Sequence, residues 1–324
     1  MIKLRKSVKS ILKVIIPLLL GAIFVWISLS KTSVQTIVGY FKEANYFWIF
    51  LGIILGIFSH LSRAYRWKYM IEPLGYKLRI SNSIMAVFSG YLINYTIPRA
   101  GEISRATIIS KYEKIPFEKG IGTIVAERVA DIIAMLIVIS IALVLEFNLI
   151  IDFFSKKINS NNLSLIYFFI PVIALIILYL FVKRANNQLF LKIKSLIDGF
   201  AEGLMSILKM RQKWYFIAHT LFIWAMYILM FYVTSRSIAQ ISYLDFSIIL
   251  IGFIAASFSV AATNGGLGLY PEAVTIAFSP FFINHDPSRA FGWIMWTSQT
   301  VMIVVIGVVS LIFLPRFNRI NPKK

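Results

Sequence analysis

Three groups of charged residues occupy places where so apolar a chain should carry none. Glu127, Arg128 and Asp131 lie inside a stretch that is otherwise apolar from about Gly120 to Leu145. At 1.5 Å per residue Glu127 falls about 12 Å along a helix, near mid-membrane if the helix starts at the interface. Glu127 and Asp131 are i,i+4 and share a face, and Arg128 and Asp131, i,i+3, can pair. Each charge costs roughly 3 kcal/mol or more at a bilayer centre, so the cluster must face protein or water. It reads either as part of a ligand site or as an ion-pair network that pins helices together.

The second group stands at two junctions. His60, Arg63, Arg66 and Trp67 follow one apolar stretch, and Arg99, Glu102 and Arg105 follow Pro98 at the end of another. A guanidinium donates two hydrogen bonds at once in a planar fork, the geometry that suits a phosphate. Arg99, Arg105 and Arg128 beside a broken helix could hold an anionic headgroup. For Arg63 and Arg66 an equally good reading is interfacial anchoring, with Trp67 in an aromatic belt. The third group is Gly265 and Gly266, followed by Leu267-Gly268 and then Pro271-Glu272, in which glycines break an apolar run just ahead of a carboxylate.

The elements that must position these residues are membrane helices. The chain has 324 residues, of which 59% are apolar or aromatic and 15% charged. A soluble domain of this size has too little interior for that. Apolar spans are expected at about 14–29, 46–62, 120–145, 163–182, 214–233, 246–262 and 290–314, with a weaker one at 80–98 and a shorter one at 267–283. An amphipathic helix at 189–210 would lie in the interface. The fold class is an all-α polytopic integral membrane protein of about seven to eight transmembrane helices plus re-entrant or broken ones, with the look of an inverted repeat. Its halves would be about 10–146 and 214–314, joined by 147–213.

Charge orients these spans. Thirty-three Lys and Arg stand against 14 Asp and Glu, a net +19. If the N-terminus, 63–81, 99–119, 183–213 and the tail all lie on the cytoplasmic side, 26 basic residues are inside and six outside, with Arg128 within a span. That asymmetry obeys the positive-inside rule. It holds only if 82–98 dips in and returns, and if the piece after Gly265-Gly266 carries the chain back out. Paired glycine- or proline-broken segments in the two halves are the sequence pointer to a transporter's binding site. Ordinary surface loops are the alternative.

The basic residues form no nucleic-acid module. The chain has no cysteine, and His219 and His285 lack metal-ligand spacing, so neither a metal nor another cofactor is expected.

Ser62-Arg63-Ala64-Tyr65-Arg66-Trp67, Pro98-Arg99-Ala100-Gly101-Glu102-Ile103-Ser104-Arg105-Ala106, Glu127-Arg128-Val129-Ala130-Asp131, and Gly265-Gly266-Leu267-Gly268 with Glu272 occur in that order. In order and spacing, over roughly residues 10–315, the pattern resembles the transmembrane, flippase-like domain of the lysylphosphatidylglycerol synthase family. One departure is Leu269-Tyr270-Pro271 ahead of Glu272, where a polar or basic residue is expected. The resemblance implies a stand-alone member without the aminoacyltransferase domain. It further implies translocation or binding of a phospholipid, no enzymatic activity, and a separate lipid-modifying enzyme as supplier.

On this reading the phosphate meets Arg99, Arg105 or Arg128. Glu102, Glu127, Asp131 and Glu272 balance those charges or accept a cationic headgroup. No nucleotide-binding glycine loop is present, so transport would run down a gradient or couple to an ion. The expected location is the bacterial inner membrane, with both termini cytoplasmic. Two other classes are a secondary transporter of a small soluble anion and a membrane glycosyltransferase. The latter would need an acidic pair in a long loop, and Asp152 and Asp245 stand alone.

Overall fold

The structure is a computed structural model that describes residues 19–97, 99–147, 203, 205 and 207–320. The described residues are helical throughout, with no strand among them. The helices are α1 (Leu19–Lys31), α2 (Val34–Glu43), α3 (Tyr46–Ile71), α4 (Ile80–Thr96), α5 (Ala100–Glu113), α6 (Phe117–Leu145), α7 (Lys213–Ser235), α8 (Phe246–Ala262), α9 (Leu269–Phe278) and α10 (His285–Ile320). Single 3-10 turns end α3 (Glu72–Leu74) and α9 (Ser279–Phe281). The spans at Tyr46–Leu74, α6, α7 and α10 are long and apolar enough to cross a membrane. The α1–α2 pair, bent by 83°, makes a fifth if taken as one broken span. This is a polytopic membrane protein. The expected span at 163–182 and the amphipathic helix at 189–210 lie outside the described residues, save Gly203, Met205 and the end from 207 on.

Contacts divide the chain into two compact units, Met1–Ile124 with Arg211–Lys324, and Val125–Met210. In the first unit α3 and α7 pack antiparallel along their length. Gly52 lets Thr234 in close at one end, and Tyr69 stacks on Tyr215 at the other, with ring centroids 5.6 Å apart. Without a hydrophobic force between helices in lipid, small residues such as Gly52 and Gly56 allow the close approach that dispersion needs.

Each half of this unit contains a hairpin. Ile97, ahead of Pro98, is extended, as a residue before proline prefers, and Arg99 adopts the left-handed conformation, φ 60°. The chain therefore reverses, and α5 runs back along α4. Gly90 and Gly101 pack so tightly that a Cβ on either would strike the other's carbonyl oxygen, and Arg79 ahead of α4 meets Glu113 at the end of α5. In the second hairpin Gly265, Gly266 and Gly268 all have positive φ, which only glycine adopts freely. Beyond this turn α9 runs back along α8, and Phe278 reaches Gly252. The second segment returns after Gly265-Gly266 as expected, whereas the first returns through α5 and not within 82–98, which puts Arg99 at the hairpin tip.

The 36-residue α10, about 54 Å long at 1.5 Å per residue, lies against both hairpins in turn. From its start it meets Glu272 through Arg289 and Pro271 through Gly292, then the carbonyl of Gly265 through Trp296. It next meets Tyr95 through Thr300, Phe88 and Leu92 through Gly307, and Asn82 through Asn318. The α8–α9 hairpin thus enters from the face where α10 begins, here the first face, and α4–α5 enters from the second.

Candidate functional site

The two hairpin tips touch. The Tyr95 ring, one turn before the first tip, lies against Gly265, so closely that a Cβ there would overlap it. Trp296 Nε1 donates to the Gly265 carbonyl at 2.8 Å, and Thr300 Oγ1 donates to Tyr95 Oη at 3.3 Å. At the first tip the Gly101 amide donates to Asn94 Oδ1 at 2.7 Å, satisfying one of the free N–H groups that open α5. Arg99 is exposed at this tip, and Glu102 is half-buried in the first turn of α5.

A set of buried arginines flanks the first hairpin. Arg63, Arg66 and Arg105 are 3%, 0% and 4% exposed. They are not interfacial anchors, and α3 continues nine residues past Ser62 to enclose two of them. Trp67, also fully buried, is no belt residue. Its Nε1 donates to Thr123 Oγ1 at 2.9 Å, and the Arg105 guanidinium lies 4.4 Å over its ring. Gly90 leaves room for the Arg105 stem, since a Cβ would sit 2.8 Å from Arg105 Cγ. Arg66 donates from Nη1 to Thr220 Oγ1 at 2.7 Å and lies 5.0 Å over the Phe216 ring. Aromatic faces thus lie against the Arg66 and Arg105 guanidiniums, and a hydroxyl accepts from Arg66.

The α6 cluster belongs to the second compact unit. Glu127 is 1% exposed, and Arg128 pairs with Asp131 at 3.8 Å, the i,i+3 partner that the spacing predicts.

Glu272 is elsewhere. Arg289 holds it with Nε to Oε1 at 2.5 Å and Nη2 to Oε2 at 3.4 Å, and Lys31 Nζ reaches Oε2 at 3.2 Å. Thr32 accepts from Arg289 Nη1 at 2.5 Å and donates to Asp286 at 2.6 Å. The structure buries Arg63, Arg66 and Arg105 and joins Gly265 to the first hairpin, but gives Glu272 its own cations on the first face.

Sequence reading missed Lys31, Asp286 and Arg289, and also a second cluster. There Glu113, with its side chain wholly buried, accepts from Arg79 Nε at 2.7 Å and from Asn82 at 2.5 Å. Asn318 accepts from Arg79 at 2.6 Å and exchanges hydrogen bonds with Asn82, each 2.8 Å. A signal existed in Asn82, a strong polar group inside an apolar run. Ser62 with His219 Nδ1 at 2.7 Å was also missed.

A curated relative, UPF0104 membrane protein MJ1595 of Methanocaldococcus jannaschii, is 34% identical over 134 residues, which is 40% of this chain and 38% of that protein's length. No solved structure matches. The family model for the lysylphosphatidylglycerol synthase TM region matches residues 14–307. The chain is a member of that family.

Proposed function

We propose that this protein moves an anionic or aminoacylated phospholipid between the leaflets of a bacterial cytoplasmic membrane, with both termini cytoplasmic, and that it catalyses no chemical reaction. The observation that carries the reading is the pair of hairpins from opposite faces whose tips meet at Tyr95 and Gly265, in a unit that also buries Arg63, Arg66 and Arg105. Irregular backbone at membrane depth is stable only inside protein or along a polar cavity, and transporters place substrate there. Arg63, Arg66 and Arg105 would take the phosphate, with Arg99 and Glu102 at the tip meeting the headgroup as it enters. Glu127, Arg128 and Asp131 are proposed as charges whose state couples to movement. The acyl tails stay in the bilayer, which removes the need for a wide channel.

The test is reconstitution in liposomes containing labelled phosphatidylglycerol or its lysyl ester. Wild type should speed transfer between leaflets, and Arg105→Lys, which keeps the charge but loses the fork, should slow it about tenfold at equal folded yield. A second reading, secondary transport of a soluble anion, draws on the same arginines. Sulfate or phosphate uptake without lipid transfer would favour it.

A further inference from the structure

The first-face cluster has no place in the headgroup site, and its composition sets it apart. It holds four charges that sum to zero: Lys31, Glu272, Asp286 and Arg289. The two at its centre, Glu272 and Arg289, are 4% and 3% exposed, whereas the Lys31 and Asp286 side chains are 55% and 47% exposed. Arg289 stands between two carboxylates, at 2.5 Å from Glu272 and 3.9 Å from Asp286. Glu272 likewise stands between two cations, Arg289 and Lys31.

We propose that this cluster is the gate of the first face and that it opens by partner exchange. This rests on the reading of the chain as a transporter. Splitting it between α9 and α10 leaves two neutral pairs, Glu272 with Lys31 and Arg289 with Asp286. Separating a buried ion pair is costly when it strands a charge, and here neither side strands one.

The neighbouring contacts are arranged for such a split. Lys31 and Thr32 sit at the 83° break between α1 and α2. α1 covers the second hairpin tip, with Gly21 against Leu267 and Gly268 against the backbone of Phe24 and Val25. α1 is also tied to α10, since Trp293 Nε1 donates to Ser28 Oγ at 3.0 Å; in the proposed split that bond breaks and Lys31 stays with α9. The contacts given up include the Thr32 bonds to Arg289 and Asp286, the Trp293 bond to Ser28, the stacking of Phe278 on Phe291, the Gly292–Pro271 packing and the Trp296 bond to Gly265. Opening parts the tip from Trp296 on α10.

The chain's lack of cysteine allows a direct test. Asn264→Cys places one thiol in the tip, at a position 7% exposed. The full-length protein in vesicles is treated with a membrane-impermeant thiol reagent on each side in turn. From the face bearing Lys31, Glu272→Gln should speed alkylation about tenfold, because the closed state loses its ion pair. Asp286→Asn should slow it several-fold, because the open state loses its own. Equal rates in wild type and in folded Glu272→Gln and Asp286→Asn overturn the gate. If Glu272→Gln does not fold, Asp286→Asn decides alone: slower labelling supports exchange, and unchanged or faster labelling refutes it. No lipid enters the readout, so the gate can stand if lipid transfer fails, and the reverse.

Discussion

Each end of α10 carries a buried carboxylate against an arginine, and the two arrangements differ in kind. At the second face the buried Glu113 accepts from Asn82 and the partly exposed Arg79 donates to Asn318, and the two amides bond to each other in both directions. Amides fix geometry without offering a charge in exchange. At the first face Glu272 and Arg289 each have a second charged partner within reach of solvent. The same ion-pair chemistry therefore serves as a clamp in one place and as an exchangeable contact in the other. Both clusters bind α10 to a hairpin, at sites some 44 Å apart along the helix, from Arg289 to Asn318.

The largest effect should come from breaking the clamp. Glu113→Ala leaves Arg79, 28% exposed, with Asn318 and the Tyr112 carbonyl and strips Asn82 of its carboxylate, and should cost about 3 kcal/mol, read as a loss of folded yield and melting temperature in detergent. Glu272→Ala should cost less, about 2 kcal/mol, since Arg289 keeps Asp286 and Thr32 and Lys31 turns to water. Equal losses would erase the distinction between the clusters.

Next is the tip contact. Gly265→Ala forces a Cβ into the Tyr95 ring at a φ of 65° and should cost about 1–3 kcal/mol. Tyr95→Leu in the same chain should recover the crowding part of that loss but not the backbone part. Full recovery would mean that the positive φ carries no strain.

Smaller still, Asp286→Asn should change stability by less than about 1 kcal/mol, as expected for a half-exposed partner at 3.9 Å. Its effect on labelling of the tip would then be one of conformational balance rather than of folding. Last comes the Arg128–Asp131 pair, 3.8 Å apart with the arginine side chain 42% exposed. Arg128→Ala should shift stability by about 1 kcal/mol at most while lowering transport more than folded yield. If reversing the pair, Arg128→Asp with Asp131→Arg, restores both equally, the cluster is structural.

Much of this was readable in the sequence where a single chain segment carries the physics. The basic-residue asymmetry asks two segments to return, and two hairpins are present, the first returning through α5 rather than within 82–98. The spacing of Arg128 and Asp131 within one helix gave their pair directly. The clusters on α10 were not legible for a different reason. Lys31 and Glu272 are 241 residues apart and Asn82 and Asn318 are 236, and no local periodicity selects one distant partner over another. Trp67 and Arg66 read equally well as an interfacial anchor or as interior residues. Only the length of α3, set by what packs on it, distinguishes the two. The headgroup residues, by contrast, were legible as chemistry but not as a shared site, since Glu272 had a nearer claim from Arg289.

The account rests most heavily on the buried arginines beside the first hairpin as a phosphate site. Native mass spectrometry of the gently purified protein addresses that directly, comparing wild type with Arg99→Ala and Arg105→Ala. The account predicts one anionic or aminoacylated phospholipid per wild-type chain, lost from the folded Arg105→Ala protein and weakened in Arg99→Ala. The same mixed bulk lipid on all three would contradict it.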